Sequence, residues 1–185
     1  MNLQDAKMAA AEILAAVEEF CEPQKLTVAG SIRREVRSVG DIEIICIPIQ
    51  SRFSAFVSAL KTQLRIQNKS ISRRSRYLHG AKTTVSGSRI EVDVFMPMPY
   101  DWGRILAIRT GSAKYSEQLA RKWRERGFVG TEHGLIPEQH CYRSGDSWKL
   151  NIGVSPELVR CTFESEIDFF NFLGLPYLDP IQRNL

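Results

Sequence analysis

The sequence predicts an α+β protein in which a sheet with helices is followed by a second, smaller α+β region. Three features support this assignment. A dense β-branched run at residues 42–47, bounded by turn residues, is typical of a central strand buried on both faces. Helical periodicity flanks that run at residues 3–21 and 51–64. Turn residues divide residues 128–150 into short segments, which predicts small antiparallel strands.

The first half of the chain contains the larger set of elements. They are, in order, a helix at residues 3–21, a strand at 26–29, a helix at 32–37, a strand at 42–47, a helix at 51–64, two strands within 66–85 and a strand at 89–96. Residues 66–85 mix β-prone and basic side chains, with Gly80 among them, so their two strands are expected to join through a polar turn.

The second half begins with two consecutive helices, at residues 102–108 and 113–126. Asp101 and Ser112 are suited to cap their N-termini, and Gly127 is suited to end the second. The short strands of residues 128–150 and a last helix follow. The break between the two helices divides the chain into a domain of residues 1–107 and one of residues 108–185.

The composition indicates a globular protein without membrane segments. Of 185 residues, 43% are hydrophobic and 25% charged. Apolar stretches such as residues 42–49 fall short of the roughly 20 residues that span a bilayer. Acidic side chains among the first 20 residues do not fit a secretory signal. We therefore expect a cytoplasmic protein with no membrane partner, and a monomer.

The four cysteines form no Cys-x-x-Cys pair, so they are expected to remain thiols. A zinc site built from His133, His140, Cys141 and Cys161 would match no standard spacing. The net charge is +4, and the basic residues gather around Arg33, Arg74 and Arg124. Each cluster is either a solvated surface or a surface that contacts phosphates, and charge alone does not separate these alternatives.

The most informative local pattern is a pair of acids on one strand. Asp41 and Glu43 project from the same face, because side chains two residues apart in a strand share a face. Glu91 and Asp93 repeat the pattern on a later strand. Carboxylates on neighbouring strands can hold two Mg²⁺ ions that bridge an attacking and a leaving oxygen. An exposed edge strand would also carry such acids, but the strand around Asp41 is too apolar for a solvated edge.

A Gly30-Ser31 turn precedes the acidic strand and could supply what carboxylates cannot. Glycine lets backbone N–H groups approach a phosphate, and a helix N-terminus favours an anion. Arg33 or Arg34, one turn further on, could clamp a triphosphate. Taken alone, Gly-Ser is among the commonest turns, so its significance depends on the acids that follow.

Together these segments resemble the signature of the DNA polymerase beta family, family X. The segments that carry the resemblance read Gly30-Ser31-Ile32-Arg33-Arg34 and Ser38-Val39-Gly40-Asp41-Ile42-Glu43. Further segments agree in order: residues 90–97, Thr110-Gly111-Ser112, residues 122–128, and a C-terminal stretch with Ser165-Glu166, Phe172, Asp179-Pro180 and Arg183. The resemblance covers roughly residues 26–185. It implies a nucleotidyltransferase palm at residues 1–107, with its N-terminal helix, and a thumb at residues 108–185.

The resemblance also implies roles for individual residues. Asp41, Glu43 and Asp93 would bind two Mg²⁺ ions, for which Mn²⁺ could substitute, and Asp93 rather than Glu91 would accept the proton of a primer 3′-hydroxyl. The residues expected to bind the nucleoside triphosphate are Gly30, Ser31, Arg34, Gly40, Arg109, Thr110 and Gly111. The residues expected to contact DNA, as primer and template or gapped duplex, are Arg73, Arg74, Arg76, Lys82, Arg121 and Arg124.

The chain departs from the family pattern at several positions. Glu43 stands where these polymerases usually have Asp, and Ile108-Arg109 stands where aromatic or small residues are more common. Small residues, at Ala113, Ser116 and Ala120, replace longer polar ones expected to touch base or template. Only one helix fits before residue 26, so we expect no lyase domain or helix-hairpin-helix pair ahead of the palm.

Three functions are compatible with these residues. The first is a minimal DNA polymerase that adds nucleotides to a primer end, in gap filling and repair. The second is a template-independent nucleotidyltransferase acting on a nucleic-acid end or another acceptor, since related folds serve many acceptors. The third is a non-catalytic nucleic-acid-binding module, which the presence of all three acids disfavours.

Overall fold

The computed structural model describes residues 1–85 and 87–184, and it contains seven α-helices and nine strands in that part of the chain. The helices are α1 Leu3–Val17, α2 Gly30–Arg33, α3 Phe53–Gln63, α4 Trp102–Thr110, α5 Ala113–Glu125, α6 Pro156–Val159 and α7 Glu166–Leu173. The strands are β1 Cys21–Val28, β2 Asp41–Pro48, β3 Arg65–Ile66, β4 Tyr77–Thr83, β5 Arg89–Phe95, β6 Phe128–Thr131, β7 Gly134–Pro137, β8 Cys141–Ser144 and β9 Ser147–Leu150.

The first five strands form one sheet in the order β1-β2-β5-β4-β3. Only β2 and β5 are parallel; the other pairs are antiparallel. The apolar run predicted to be central is β2, which lies between β1 and β5 and is buried from Ile44 to Pro48. The α+β prediction is therefore confirmed, and the acids at the start of β2 lie at one end of the sheet.

Strand alternation gives the sheet two different faces. Ile42, Ile44 and Cys46 of β2 pack with α1 and α3 in the largest apolar cluster. Ile45 and Ile47 point the other way, toward α4. Asp41 and Glu43 share the α4 side of the sheet with Ile45, so the carboxylates face the second region of the protein.

Helix α4 joins the two regions. Its Trp102 and Leu106 pack against Ile45 and Ile47 of the sheet. One residue later, Ala107 belongs to a separate cluster with α5 and α7. The helix ends at Thr110, so the predicted break before Ser112 is confirmed, and the side chain of Ser112 accepts a hydrogen bond from the backbone N–H of Tyr115.

The element predictions differ from the structure in several places. Helix α1 ends at Val17 and β1 begins at Cys21, whereas a helix to residue 21 and a strand from residue 26 were predicted. Helix α4 continues to Thr110, two residues past its predicted end. Helix α2 begins at Gly30 and spans one turn, whereas residues 32–37 were predicted. Asp101 lies at the N-cap of α4, but its carboxylate accepts from the Arg104 guanidinium instead of a backbone N–H. The short helix α6 was not predicted at all.

The two small hairpins, β6-β7 and β8-β9, confirm the antiparallel strands predicted within residues 128–150. All four cysteines are free thiols, and Cys21 and Cys46 are buried. In the described residues, the helices are too short or too polar to cross a membrane.

Candidate functional site

The structure brings the three predicted acids together on one face, at one end of the sheet. Glu43 of β2 lies opposite Asp93 of β5 in the parallel register, with Asp41 two residues before Glu43 on the same face. Burial, reinforced by the charge of Asp93, raises the pKa of Asp41 above its usual value. Burial, reinforced by the charge of Asp41, raises the pKa of Glu43 to about 7, although Arg109 opposes this shift. Three carboxylates thus repel one another in a partly buried place.

The fourth acid of these strands is oriented differently. Glu91 is in register with Asp41, but its carboxylate accepts from the side chains of Arg89 and Gln67. It is also about two-fifths exposed. The choice of Asp93 over Glu91 as the third member of the acidic group is consistent with this geometry.

The acidic group has the donor chemistry of a divalent metal site. Hard cations such as Mg²⁺ prefer carboxylate oxygens, and a cation would relieve the mutual repulsion of Asp41, Glu43 and Asp93. In residues 1–85 and 87–184, however, no three such side chains already lie in metal-binding geometry. Like charges without a cation separate, and Asp93 is turned toward two hydrogen-bond donors described below. The residue types fit the metal, while the arrangement would tighten upon binding.

Gly30 is required by the position of Glu43. Its φ of 56° lies in the left-handed region, and a Cβ atom there would come within 2.2 Å of the Glu43 carboxylate oxygen Oε2. The Glu43 side chain is one methylene longer than the Asp usual in the family, and it packs directly on the Gly30 backbone. The turn and the acidic group are therefore a single unit.

Replacing Gly30 by Ala is expected to disrupt this unit, because the substitution adds both backbone strain and a steric clash. We expect nucleotide transfer to fall by about a hundredfold, with a loss of about 1–3 kcal/mol in the free energy of unfolding. Steady-state kinetics and urea denaturation measure the two effects. Gly130→Ala on β6 serves as the control, since a Cβ at that position would meet no atom nearer than 4.0 Å and the residue belongs to no predicted site. Equal activity of the two variants would contradict the proposed contact.

Ser31 and Arg34 lie beside the acidic group on α2. The Ser31 hydroxyl oxygen is buried and has no hydrogen-bond partner in the described part of the chain. An unpaired buried hydroxyl costs about 1–3 kcal/mol, so a ligand oxygen at this position would be favoured. Burial lowers the pKa of the Arg34 guanidinium, whereas the charges of Glu43 and Asp41 oppose the shift. Because α2 is a single turn, these side chains matter more than its helix dipole.

Thr110 supports the arginines instead of facing a ligand. Its hydroxyl accepts from Arg33 at 2.6 Å, and its carbonyl accepts from Arg34 at 2.6 Å. The residue is fully buried. The prediction that Thr110 contacts the nucleotide is therefore wrong for its side chain, because both polar groups are already bonded to α2.

Arg33 connects the two regions of the protein and does not face the acidic group. Its guanidinium donates two hydrogen bonds to the Glu166 carboxylate, at 2.9 and 2.6 Å. Glu166 also accepts from Arg183, whose side chain is fully buried. Burial raises the pKa of Glu166, but the hydrogen bonds from Arg33 and Arg183 outweigh it, so the net shift is downward. Of the two arginines at the end of α2, Arg34 is therefore the one that interacts with the acids.

Arg109 lies at the exposed end of α4, on the acidic side of the sheet. Its guanidinium carbon is 3.9 Å from the ring centroid of Phe95, and its charge lowers the pKa of Glu43 against the dominant effect of burial. Gly111 follows in extended conformation, and a Cβ there would come within 2.6 Å of the Tyr115 ring. Arg109 borders the cavity beside Asp93, whereas Gly111 packs against α5; the nucleotide contacts of both residues stay predictions.

Two further residues at the site were not predicted from the sequence. The Tyr77 hydroxyl donates to Asp93 Oδ1 at 2.6 Å, and His79 Nδ1 lies 2.7 Å from the same oxygen. Burial, together with the bond to Asp93, raises the pKa of Tyr77 to about 12. The signal that could have identified them is the cross-strand register, in which His79 is the direct partner of Asp93.

A cavity of about 580 Å³ opens beside Asp93. Tyr77 and Phe95 of the sheet line one side, Arg109 lines another, and Thr131 and Glu132 of the β6-β7 turn complete it. The cavity therefore combines aromatic rings, cationic side chains and a catalytic-type carboxylate between the two regions of the chain.

The basic residues predicted to contact DNA do not all share one location. Arg73, Arg74 and Arg76 are exposed in the segment before β4, and Arg121 and Arg124 are exposed on α5. The prediction for Lys82 is wrong. Strand alternation puts this side chain on the α1 side of the sheet, where it is buried and bonded to Glu12 at 2.7 Å and to Gln63 at 3.0 Å.

Comparisons with known proteins agree with this architecture. The DNA polymerase beta thumb family model matches residues 105–184. DNA polymerase lambda of Rattus norvegicus is 26% identical over 174 residues, which cover 88% of this chain and 29% of the polymerase. The chain thus spans less than a third of the length of this curated relative.

Two solved structures have the same fold. The ternary gap complex of Leishmania infantum polymerase beta matches with a TM-score of 0.75 and 18% identity, over 99% of this chain and 70% of that one. The ternary P/T complex of the same polymerase matches with a TM-score of 0.73 and 19% identity, over 100% of this chain and 77% of that one. The thumb match begins inside α4, which the two apolar clusters share.

Proposed function

We propose that this chain is a family X-like DNA polymerase that adds nucleotides to a primer 3′-hydroxyl by two-metal phosphoryl transfer, in short gaps of damaged DNA. The observation that carries this proposal is the convergence of Asp41, Glu43 and Asp93 at one partly buried end of the sheet, with raised pKa values for Asp41 and Glu43. Perturbed carboxylates in a cleft are typical of catalytic sites. The relatives named above supply the reaction class.

Asp41, Glu43 and Asp93 would hold two Mg²⁺ ions, which Mn²⁺ could replace. When bound, these ions would neutralise phosphate charge and lower the pKa of the attacking hydroxyl. The protein's own contribution is to fix the carboxylates: Gly30 supports Glu43, while Tyr77 and His79 hold Asp93. Asp93 would accept the proton of the acceptor hydroxyl.

The triphosphate would lie between the Gly30-Ser31 turn and Arg34. The Ser31 hydroxyl would gain an acceptor that it lacks in the protein alone, and Arg34 would supply a positive charge on the same side. Gly40 is exposed and leaves its backbone open to a phosphate oxygen. Arg109 and Gly111 would border the sugar and base.

DNA would be held by the exposed arginines before β4 and on α5. Replacing both Arg74 and Arg76 by Ala should weaken oligonucleotide binding and reduce its salt dependence. Each lost phosphate contact lowers the slope of log K against log salt by about 0.9. Fluorescence anisotropy across a salt series measures the slope. Lys7→Ala is the control, because Lys7 is a surface lysine paired with Glu35. An unchanged slope in the double variant would show that these arginines are ordinary solvated side chains and do not contact phosphates.

Primer extension tests the proposed reaction. A labelled primer, alone and annealed across a one-nucleotide gap, is incubated with each dNTP and rNTP in Mg²⁺ or Mn²⁺. Incorporation of only the complementary nucleotide in the gap is the expected result. The rNTP reactions report on the Ile108-Arg109 departure. Absence of transfer on every DNA substrate would refute the polymerase proposal.

A second candidate function is template-independent transfer. One observation favours it: the Ser116 hydroxyl on α5 donates to the carbonyl of Ile108 at 2.6 Å, so it is not directed at a base. Ala113 and Ala120 on the same helix offer no polar side-chain group to a template either. Equal incorporation of all four nucleotides on a single-stranded primer would support this alternative.

A further inference from the structure

We propose that Tyr77 is a positioning residue for the acceptor strand, orienting the Asp93 carboxylate through its hydroxyl and packing its exposed ring against the 3′-terminal nucleoside. This proposal rests on the proposed function, since the acceptor is the strand whose 3′-hydroxyl Asp93 would deprotonate. Neither the family signature in the sequence nor the comparisons assign a role to this residue.

The first argument is the asymmetry of the hydrogen bonds at Asp93. Tyr77 Oη and His79 Nδ1 both bond to Oδ1, at 2.6 and 2.7 Å. In the described part of the chain, Oδ2 is thus left for other partners. A carboxylate held through one oxygen has a fixed plane, so its second oxygen points in a defined direction.

The second argument is the surface that surrounds this bond. Tyr77, His79 and Phe95 form an aromatic surface on the acidic face of the sheet. The Tyr77 ring lies 6.4 Å from that of His79, at an interplanar angle of 20°, and 5.2 Å from that of Phe95. Tyr77 is 42% exposed beside the partly buried carboxylate of Asp93, so much of its ring is open to a ligand. Bases stack on such exposed rings in many nucleic-acid-binding proteins.

The third argument is the direction from which the acceptor nucleic-acid strand would reach Tyr77. Arg76 directly precedes Tyr77 in the chain, and Arg73 and Arg74 are exposed just before it. Phosphates that contact these arginines would bring the end of the strand to Tyr77 within about one nucleotide, since one extended residue spans about 3.5 Å. The cavity beside Asp93, about 580 Å³ and lined by Tyr77, is large enough for a terminal nucleoside. From these features we expect the 3′ end of the acceptor strand to occupy this cavity.

Two substitutions of Tyr77 distinguish the role of its hydroxyl from the role of its ring. Tyr77→Phe keeps the ring and removes the bond to Asp93, so kcat should fall about tenfold while the KM for the acceptor stays near the wild-type value. Tyr77→Leu removes both, so the KM for the acceptor should also rise about tenfold. The KM for the nucleoside triphosphate should not change in either variant. Tyr142→Leu is the matched control, because Tyr142 is 48% exposed on β8 and outside the acidic face.

A binding measurement makes the test independent of catalysis. The probe is an oligonucleotide with 2-aminopurine at its 3′ terminus, titrated with protein in the absence of metal and nucleotide. We expect wild type and Tyr142→Leu to change the 2-aminopurine fluorescence and Tyr77→Leu to lose most of that change. An identical change with Tyr77→Leu would overturn the proposal even if transfer is active. Loss of the change in a protein that shows no transfer would support the contact and refute only the polymerase assignment. A wild-type protein that does not bind the oligonucleotide would refute both.

Discussion

Replacing Asp93 by Asn is expected to reduce nucleotide transfer by at least about a thousandfold, corresponding to about 4 kcal/mol of transition-state stabilisation. Asn has nearly the same shape, so Tyr77 and His79 can still contact the amide oxygen. What is lost is the negative charge that would hold a cation and accept a proton. Asp41→Asn should have a similar effect, because Asp41 belongs to the same electrostatically coupled group. Single-turnover kinetics on a gapped primer measure both variants.

Glu91→Gln is the matched control for these variants. Glu91 lies on the same strand and the same face as Asp93, but it is partly exposed and bonded to Arg89 and Gln67, and it lies 3.3 Å from His79 Nε2. Its variant should retain activity within about threefold of wild type, since an exposed ion pair contributes about 1 kcal/mol or less. Similar losses for Glu91→Gln and Asp93→Asn would show that the reaction depends on the total charge of the strand, and would refute the assignment of Asp93.

Replacing Glu166 by Gln should have the largest effect on stability, a loss of about 3–5 kcal/mol. The substitution leaves the Arg33 and Arg183 guanidinium groups, one of them fully buried, with a neutral partner. Urea denaturation followed by circular dichroism measures the change. Glu157→Gln is the control, because the Glu157 carboxylate is 62% exposed and lies 3.5 Å from Arg160. A loss of less than 1 kcal/mol for Glu166→Gln would contradict the importance of this buried pair.

The same carboxylate predicts a pH dependence. The pKa of Glu166 is lowered in the folded protein, so its contribution to stability is present above the pKa of the unfolded chain. That contribution is lost as the pH falls through the folded-state pKa. Wild type should therefore lose more stability between neutral and acidic pH than Glu166→Gln, which has no carboxylate to protonate there. Parallel pH profiles for the two proteins would contradict this interpretation.

The sequence was sufficient to identify the sheet and the acids because both depend on local periodicity. The apolar run of β2 and the spacing of Asp41 and Glu43 determine which strand is central and which face bears the charge. Ser112 capped its helix as predicted, since a cap depends only on the residues beside it. Asp101 did not, because Arg104 one turn later offered its carboxylate a stronger, charged partner.

What the sequence did not reveal depends on contacts between distant segments. Lys82 was predicted to contact DNA, but its buried side chain is paired with Glu12 of α1, seventy positions earlier. Tyr77 and His79 reach Asp93 only through the β4-β5 register, which periodicity alone does not fix. Arg33, Glu166 and Arg183 were each part of the family resemblance, yet their mutual bonds required the fold. The sequence therefore did not predict contacts between residues that are far apart in the chain.

The position of α4 has a consequence for how the protein unfolds. Trp102 and Leu106 of this helix pack on the sheet, and Ala107 packs with α5 and α7, so both apolar clusters are completed by one continuous segment. Unfolding of either cluster would therefore disrupt α4, which the other cluster also packs against. Amide hydrogens of β2 and α7 should consequently exchange with solvent at similar free energies, as members of a single cooperative unit. Motions that admit the proposed DNA substrate would then be concentrated after Thr110, where the helix ends.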